Sequence, residues 1–305
     1  MSTGAGGGWT RRQVLGAAGA GLAAVAVAGA GGLELVSRGV LPGQQALDRL
    51  DGACSVASPP MIFSASGPSV SGRFFSRARR REVGYMVAYP PGHQPGSRLP
   101  LIIALHPFGP DHRHVLTGMS PRQALALHVA GQPLPPTAMA SADGGGGYWN
   151  PHPGDDPMAM VIDELIPLCQ RMGLGRHAIG TMGISMGGYG AILLAEKYPG
   201  LIAAVAAISP AIWTSYPQAR AANAGAYASA GAFTAADVVT HAAALNGMPV
   251  RVACGLRDPF HPGVQAFAQA ARGAVVDISP GCHSGPFFTA QEPPSLAFLA
   301  RHLTA

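Results

Sequence analysis

Four short, uninterrupted apolar runs, Leu101 to Leu105, Ala178 to Ile184, Ile202 to Ile208 and Val250 to Cys254, constrain this chain more than any other feature of it. A strand with one face in water alternates polar and apolar side chains. Runs that are apolar at every position belong to strands covered on both faces, as in a parallel sheet between layers of helices. Between the runs lie helical segments, Pro157 to Arg171, Gly188 to Lys197 and Pro262 to Ala271, with a last one from Ser295 to His302. This alternation predicts an α/β fold with a mainly parallel central sheet and helices on both faces. Two β-like stretches ahead of it, Val70 to Ser76 and Val83 to Ala88, predict an antiparallel hairpin.

With 305 residues, 48% hydrophobic and 11% charged, the chain has apolar material for one large core, and wholesale disorder is excluded. The formal charge of +5 is scattered, apart from Arg73, Arg77, Arg79, Arg80 and Arg81. That cluster reads as a solvated strand end, with contact to anionic lipid or glycan as the alternative. No nucleic-acid motif accompanies it.

Residues 1–40 read as an address. Thr10-Arg11-Arg12-Gln13-Val14-Leu15 precedes an Ala/Gly/Val run, with no acidic residue before Glu34. The pattern is that of a twin-arginine signal, cleaved near residue 30 or retained as an anchor. Export and association with the cell envelope are therefore expected. Residues 41–67 read as a linker, and 68–305 as the catalytic domain, with an Ala-rich helical cap at about 213–246. Four cysteines in an exported chain permit disulfides. Cys254 and Cys282 each end a strand just before a candidate catalytic residue, so their pairing is expected, and Cys169 is expected to be a buried thiol.

The chemistry centres on Gly183-Ile184-Ser185-Met186-Gly187. In a chain with 42 glycines, G-x-S-x-G arises by chance roughly 0.3 times, so its surroundings decide its meaning. Here it joins a buried strand to a helix, the context in which a serine is lifted out of a strained turn. The Met186 amide then lies at a helix N-terminus, where the dipole favours a developing oxyanion. A serine hydroxyl needs a base, and the base an orienting carboxylate. Asp258 and His283 follow in that order, each at the carboxyl end of a predicted strand. Phe108, after His106 and Pro107, is the candidate second oxyanion donor, since proline has no amide hydrogen. His106 is read as a structural loop residue. Asp111, His112 and His114 have no nearby third histidine or carboxylate pattern to complete a metal site, and no cofactor motif is present.

These residues resemble the putative-esterase family of α/β hydrolases, which includes the esterase D type and the mycobacterial antigen 85 mycolyltransferases. The similarity spans roughly residues 70–303. It rests on Tyr89-Pro90-Pro91-Gly92, Asp156-Pro157 through Pro167, Gly183 to Gly190, Ser209-Pro210, Gly255 to Phe260, and Gly281 to His283 with Phe287 beyond. The resemblance implies an α/β-hydrolase fold, Ser185 as nucleophile, Asp258 as acid, His283 as base, and Met186 and Phe108 as oxyanion donors. Pro107 departs from it, because such families often carry glycine after the histidine.

Together these readings predict an exported serine esterase acting on a small-molecule or lipid ester. Two alternatives stay open, an acyltransferase that uses a sugar or lipid hydroxyl as acceptor and a non-catalytic binding protein on the same scaffold. The cap aromatics Trp213, Tyr216, Tyr227 and Phe233 are expected to favour an apolar acyl or aryl group, with Trp213 and Tyr216 as substrate-binding residues.

Overall fold

The computed structural model describes residues 52–57 and 60–304; the expected leader lies outside the described residues. Eight strands form one mixed sheet: β2 (Ser69–Ser76), β3 (Arg81–Ala88), β4 (Leu101–Leu105), β7 (Ala138–Ala142), β8 (Ile179–Ile184), β9 (Ala204–Ile208), β10 (Val250–Arg257) and β11 (Val275–Cys282). Their order is β11-β10-β9-β8-β4-β7-β3-β2. From β11 to β7 every neighbouring pair is parallel, and β3 and β2 continue the sheet antiparallel. A small sheet joins β1 (Ile62–Phe63), β5 (Leu127–Val129) and β6 (Gln132–Pro133).

The apolar runs are the sheet's centre because both its faces are covered. Every residue of β4, β8 and β9 is buried. One core packs the helix Met186–Lys197 and the Pro157–Arg171 region against the sheet; the other packs the final helix, Gly285–Thr304, against its opposite face. Each fully buried Leu or Ile contributes about 1.5–3 kcal/mol.

Several elements differ from the sequence reading. β7, Ala-Met-Ala-Ser-Ala, was not expected; its small side chains fit between β4 and β3, where both faces are closed. The segment from Pro157 holds a π turn, Met160–Leu165. The last helix begins ten residues before Ser295 and runs through Pro293 and Pro294. The cap consists of short helices, Tyr216–Ala222 and Ala230–Ala235, and a 3-10 turn, Ala242–Leu245.

The arginine cluster is not uniformly solvated. Arg79 is 4% exposed, holds Asp155 with two hydrogen bonds of 2.7 and 3.0 Å, and donates to the Asp143 carbonyl. It thereby clamps the loop at Gly144 to Gly147, whose Gly144 amide donates to His106 just after β4.

The expected Cys254–Cys282 bond is not formed; Cys282 is bridged to Cys54, and Cys254 is a buried thiol. The sheet register gives the reason. Cys254 stands opposite Ile278, four residues before Cys282. At about 3.3 Å per residue the two sulfurs lie at levels roughly 10 Å or more apart along the strands, beyond disulfide reach. Part of the expected linker therefore belongs to the domain: Cys54 is tied to β11, and Ile62 pairs with His128. Cys169 is a buried thiol, as expected.

Candidate active site

β8 ends at Ile184, the chain turns sharply at Ser185, and the helix Met186–Lys197 begins at the next residue. Ser185 has φ 56° and ψ −119°, a conformation in which L-residues persist only when surroundings impose it. The imposing contacts are backbone ones: the Ser185 amide donates to the Ile208 carbonyl at 2.9 Å, and the Ser185 carbonyl accepts from Tyr189 and Ala211. The flanking glycines are required by space. A Cβ on Gly183 would lie 2.2 Å from the Gly187 carbonyl carbon, and one on Gly187 would lie 1.9 Å from the Leu105 carbonyl oxygen.

Asp258 follows β10 and is buried. One carboxylate oxygen accepts the Phe260 amide at 2.9 Å; the other faces His283 Nδ1 at 2.8 Å. His283 follows β11, and its Nε2 lies 2.9 Å from Ser185 Oγ. Three side chains from distant stretches thus form one relay at the carboxyl edge of the sheet. With Asp258 ionised, Nδ1 carries the shared proton and Nε2 is left as an acceptor for the serine hydroxyl.

The histidine ring is packed on two sides, against Phe260 at 5.1 Å and Phe288 at 4.9 Å between centroids. Sequence reading missed both, although each follows a triad member by a few residues. Phe288 opens the final helix, which is anchored further along by buried Glu292. That carboxylate accepts from the Thr117 amide and hydroxyl and from the Gly118 amide, joining the helix to the loop after β4. Burial raises the Glu292 pKa, which those donors partly offset.

Met186 occupies the first position of the helix, where an amide has no intrahelical acceptor. Phe108 lies in the loop after β4; its ring is exposed, edge towards Gly146. Among the described residues no backbone acceptor takes the Phe108 amide. His106 behaves as a structural residue. Its Nδ1 lies 2.8 Å from the Pro107 carbonyl and Nε2 accepts the Gly144 amide at 2.9 Å, a role only a neutral ring can fill; burial lowers its pKa.

The two expected substrate-binding residues part company. Trp213 sets its ring edge-on to Phe260 at 4.7 Å, one side chain removed from His283. Tyr216 instead faces Phe233 in a cap cluster that continues through Tyr227 to Tyr148 and Tyr189. Tyr189, on the helix that follows Ser185, donates to the Ala236 carbonyl at 2.7 Å and so fastens the cap to that helix. Also unforeseen is the wedge of Trp149, wholly buried between Gly144 and Gly190, where a Cβ at either glycine would strike the indole. The run of four glycines before Tyr148 and Trp149 was the available signal. His112 and His114 hydrogen-bond to two different carboxylates, Asp143 and Asp111.

A mixed α/β sheet with a serine at a strand-to-helix turn, and an acid and a histidine at later strand ends, defines an α/β hydrolase. The chain belongs to the family described as "Putative esterase", whose sequence profile matches residues 76–274, and its activity class is ester hydrolysis. Solved structures share the fold at low identity. A ferulic acid esterase superposes with a TM-score of 0.65 at 19% identity, covering 77% of this chain and 99% of the other. The S-formylglutathione hydrolase of Agrobacterium tumefaciens gives 0.59 at 17%, covering 80% and 98%. MPT51 of Mycobacterium tuberculosis gives 0.59 at 16%, covering 81% and 100%. No curated protein sequence matches the chain.

Proposed function

We propose that this chain is an exported carboxylesterase that works through an acyl-enzyme on Ser185. The observation that carries the reading is the unbroken relay from Asp258 through His283 to Ser185, at 2.8 and 2.9 Å. His283 Nε2 takes the hydroxyl proton as Ser185 Oγ attacks the ester carbonyl carbon. Asp258 holds the imidazolium and its tautomer, and the Met186 and Phe108 amides receive the oxyanion. His283 then returns the proton to the leaving alcohol. A water, deprotonated by the same imidazole, releases the acid and restores the serine.

The acyl side is apolar in this reading, because Phe260 and Phe288 flank the histidine and Trp213 packs on Phe260. Export rests on the twin-arginine pattern at Thr10 to Leu15. The test is a series of nitrophenyl esters from acetyl to octanoyl, with products analysed with and without a sugar acceptor. Free acid as sole product, best with acyl groups longer than acetyl, supports the proposal. Acyl sugar as the main product would make the chain a transferase; inertness towards every ester would refute catalysis.

A further inference from the structure

The stretch ahead of β1 does more than lead into the domain. Cys54 is bonded to Cys282, the residue immediately before His283. Two residues on, Val56 reaches Gly281: its Cγ2 lies 3.1 Å from where a Cβ on that glycine would stand. Gly281 has φ 147°, in the region that favours glycine, and a side chain there would also meet the Phe287 ring at 2.4 Å. Val56, Met61 and Phe63 pack on the core that contains Phe287 and Phe288, and the Phe288 ring lies against His283. One short segment therefore grips the histidine turn covalently at Cys282, sterically at Gly281, and from beneath through the phenylalanine pair.

We propose that Cys54 and Val56 are positioning residues for His283, so that full catalytic competence requires the Cys54–Cys282 bond. The inference rests on His283 acting as the base of Ser185. Without the strap, β11 still pairs with β10, since that register does not involve Cys54. The turn beyond Gly281 then loses its outer support, and the imidazole spends less time in line with Ser185. Trp213 packs on Phe260 and the cap is fastened to the helix after Ser185, and neither contact involves the strap. The loss should therefore fall on kcat and leave KM nearly unchanged. A disulfide in this role also ties activity to an oxidising compartment.

The test compares wild type, Cys54→Ser and Val56→Gly on a nitrophenyl ester, each assayed at least 15 °C below its own melting midpoint. A second arm treats folded wild type with dithiothreitol. Its two thiols deliver two electrons and two protons to the sulfur–sulfur bond, leaving the Cys54 and Cys282 thiols and a cyclic disulfide of the reagent. The expected result is a fall of about tenfold or more in kcat for Cys54→Ser and for the reduced enzyme, with KM within twofold. Val56→Gly should lose less, and removal of the reductant with reoxidation should restore kcat. A kcat within twofold of wild type in folded, bond-free protein would overturn the proposal. If Cys54→Ser fails to fold, Val56→Gly and the reduced wild type decide. Amide exchange over residues 279–288 separates the two readings. Faster exchange on reduction in a protein inert to every ester upholds the strap and fails the esterase reading; unchanged exchange refutes the strap whatever the activity.

Discussion

Asp258→Asn isolates the relay at its most buried member. The Asp258 side chain is fully buried, and the substitution keeps its shape. The Phe260 amide, 2.9 Å from Oδ1, allows only the oxygen of an asparagine at that position, because an NH2 group there would face another donor. The NH2 must therefore occupy the Oδ2 position, 2.8 Å from His283 Nδ1. Donating to Nδ1 forces the ring proton onto Nε2, the atom 2.9 Å from Ser185 Oγ, and an Nε2–H cannot accept the serine proton. The base is present but wrongly protonated. Loss of the correct tautomer in a relay of this kind costs on the order of 10³–10⁴ in rate, or about 4–5.5 kcal/mol of transition-state stabilisation. The assay is kcat/KM on a nitrophenyl ester at pH 7, with thermal melting to show that the fold is kept. Retention of more than a tenth of wild-type activity in a folded variant would refute the assigned roles of Asp258 and His283.

Two further perturbations probe the scaffold. Gly187→Ala drives a methyl into the Leu105 carbonyl at 1.9 Å, whereas a Cβ on Gly200 meets nothing within 4 Å. Thermal or denaturant melting should show Gly187→Ala destabilised by about 3 kcal/mol or more and Gly200→Ala close to wild type; equal effects would contradict the elbow packing. Glu196 is buried on the helix after Ser185, neither carboxylate oxygen has a partner among the described residues, and burial together with the Asp237 charge raises its pKa to about 9. A carboxyl raised from 4.5 to about 9 binds its proton more tightly in the folded state. Its contribution to stability is complete below pH 4.5 and is lost as pH rises through 9, with a slope of up to about 1.4 kcal/mol per pH unit between them. Glu196→Gln should flatten that decline in urea melts at pH 5, 7 and 9. Parallel curves for the two proteins would contradict it.

The sheet centre was legible because burial on both faces leaves a one-letter signature, and β4 matches its apolar run residue for residue. The candidate triad was legible because each member follows a predicted strand, so three local signals agreed. β7 was not, since Ala, Met and Ser carry little strand preference and are placed there by the space between neighbours. The early start of the last helix was hidden by Pro293 and Pro294, which read as a helix break. Long-range partners left no local trace. Cys54 meets Cys282 across 228 residues, and Arg79 is buried only because Asp155 lies opposite it. Both pairings are consequences of the fold, whereas charge and cysteine count are visible before it.

The central claim is that Ser185 Oγ is a nucleophile activated by His283. A fluorophosphonate probe, followed by peptide mapping, tests it on wild type, Ser185→Ala and His283→Ala. The account predicts one stoichiometric adduct on the peptide containing Ser185, none in Ser185→Ala, and a labelling rate reduced by at least about a hundredfold in folded His283→Ala. An adduct on another residue, or undiminished labelling without the histidine, would contradict it.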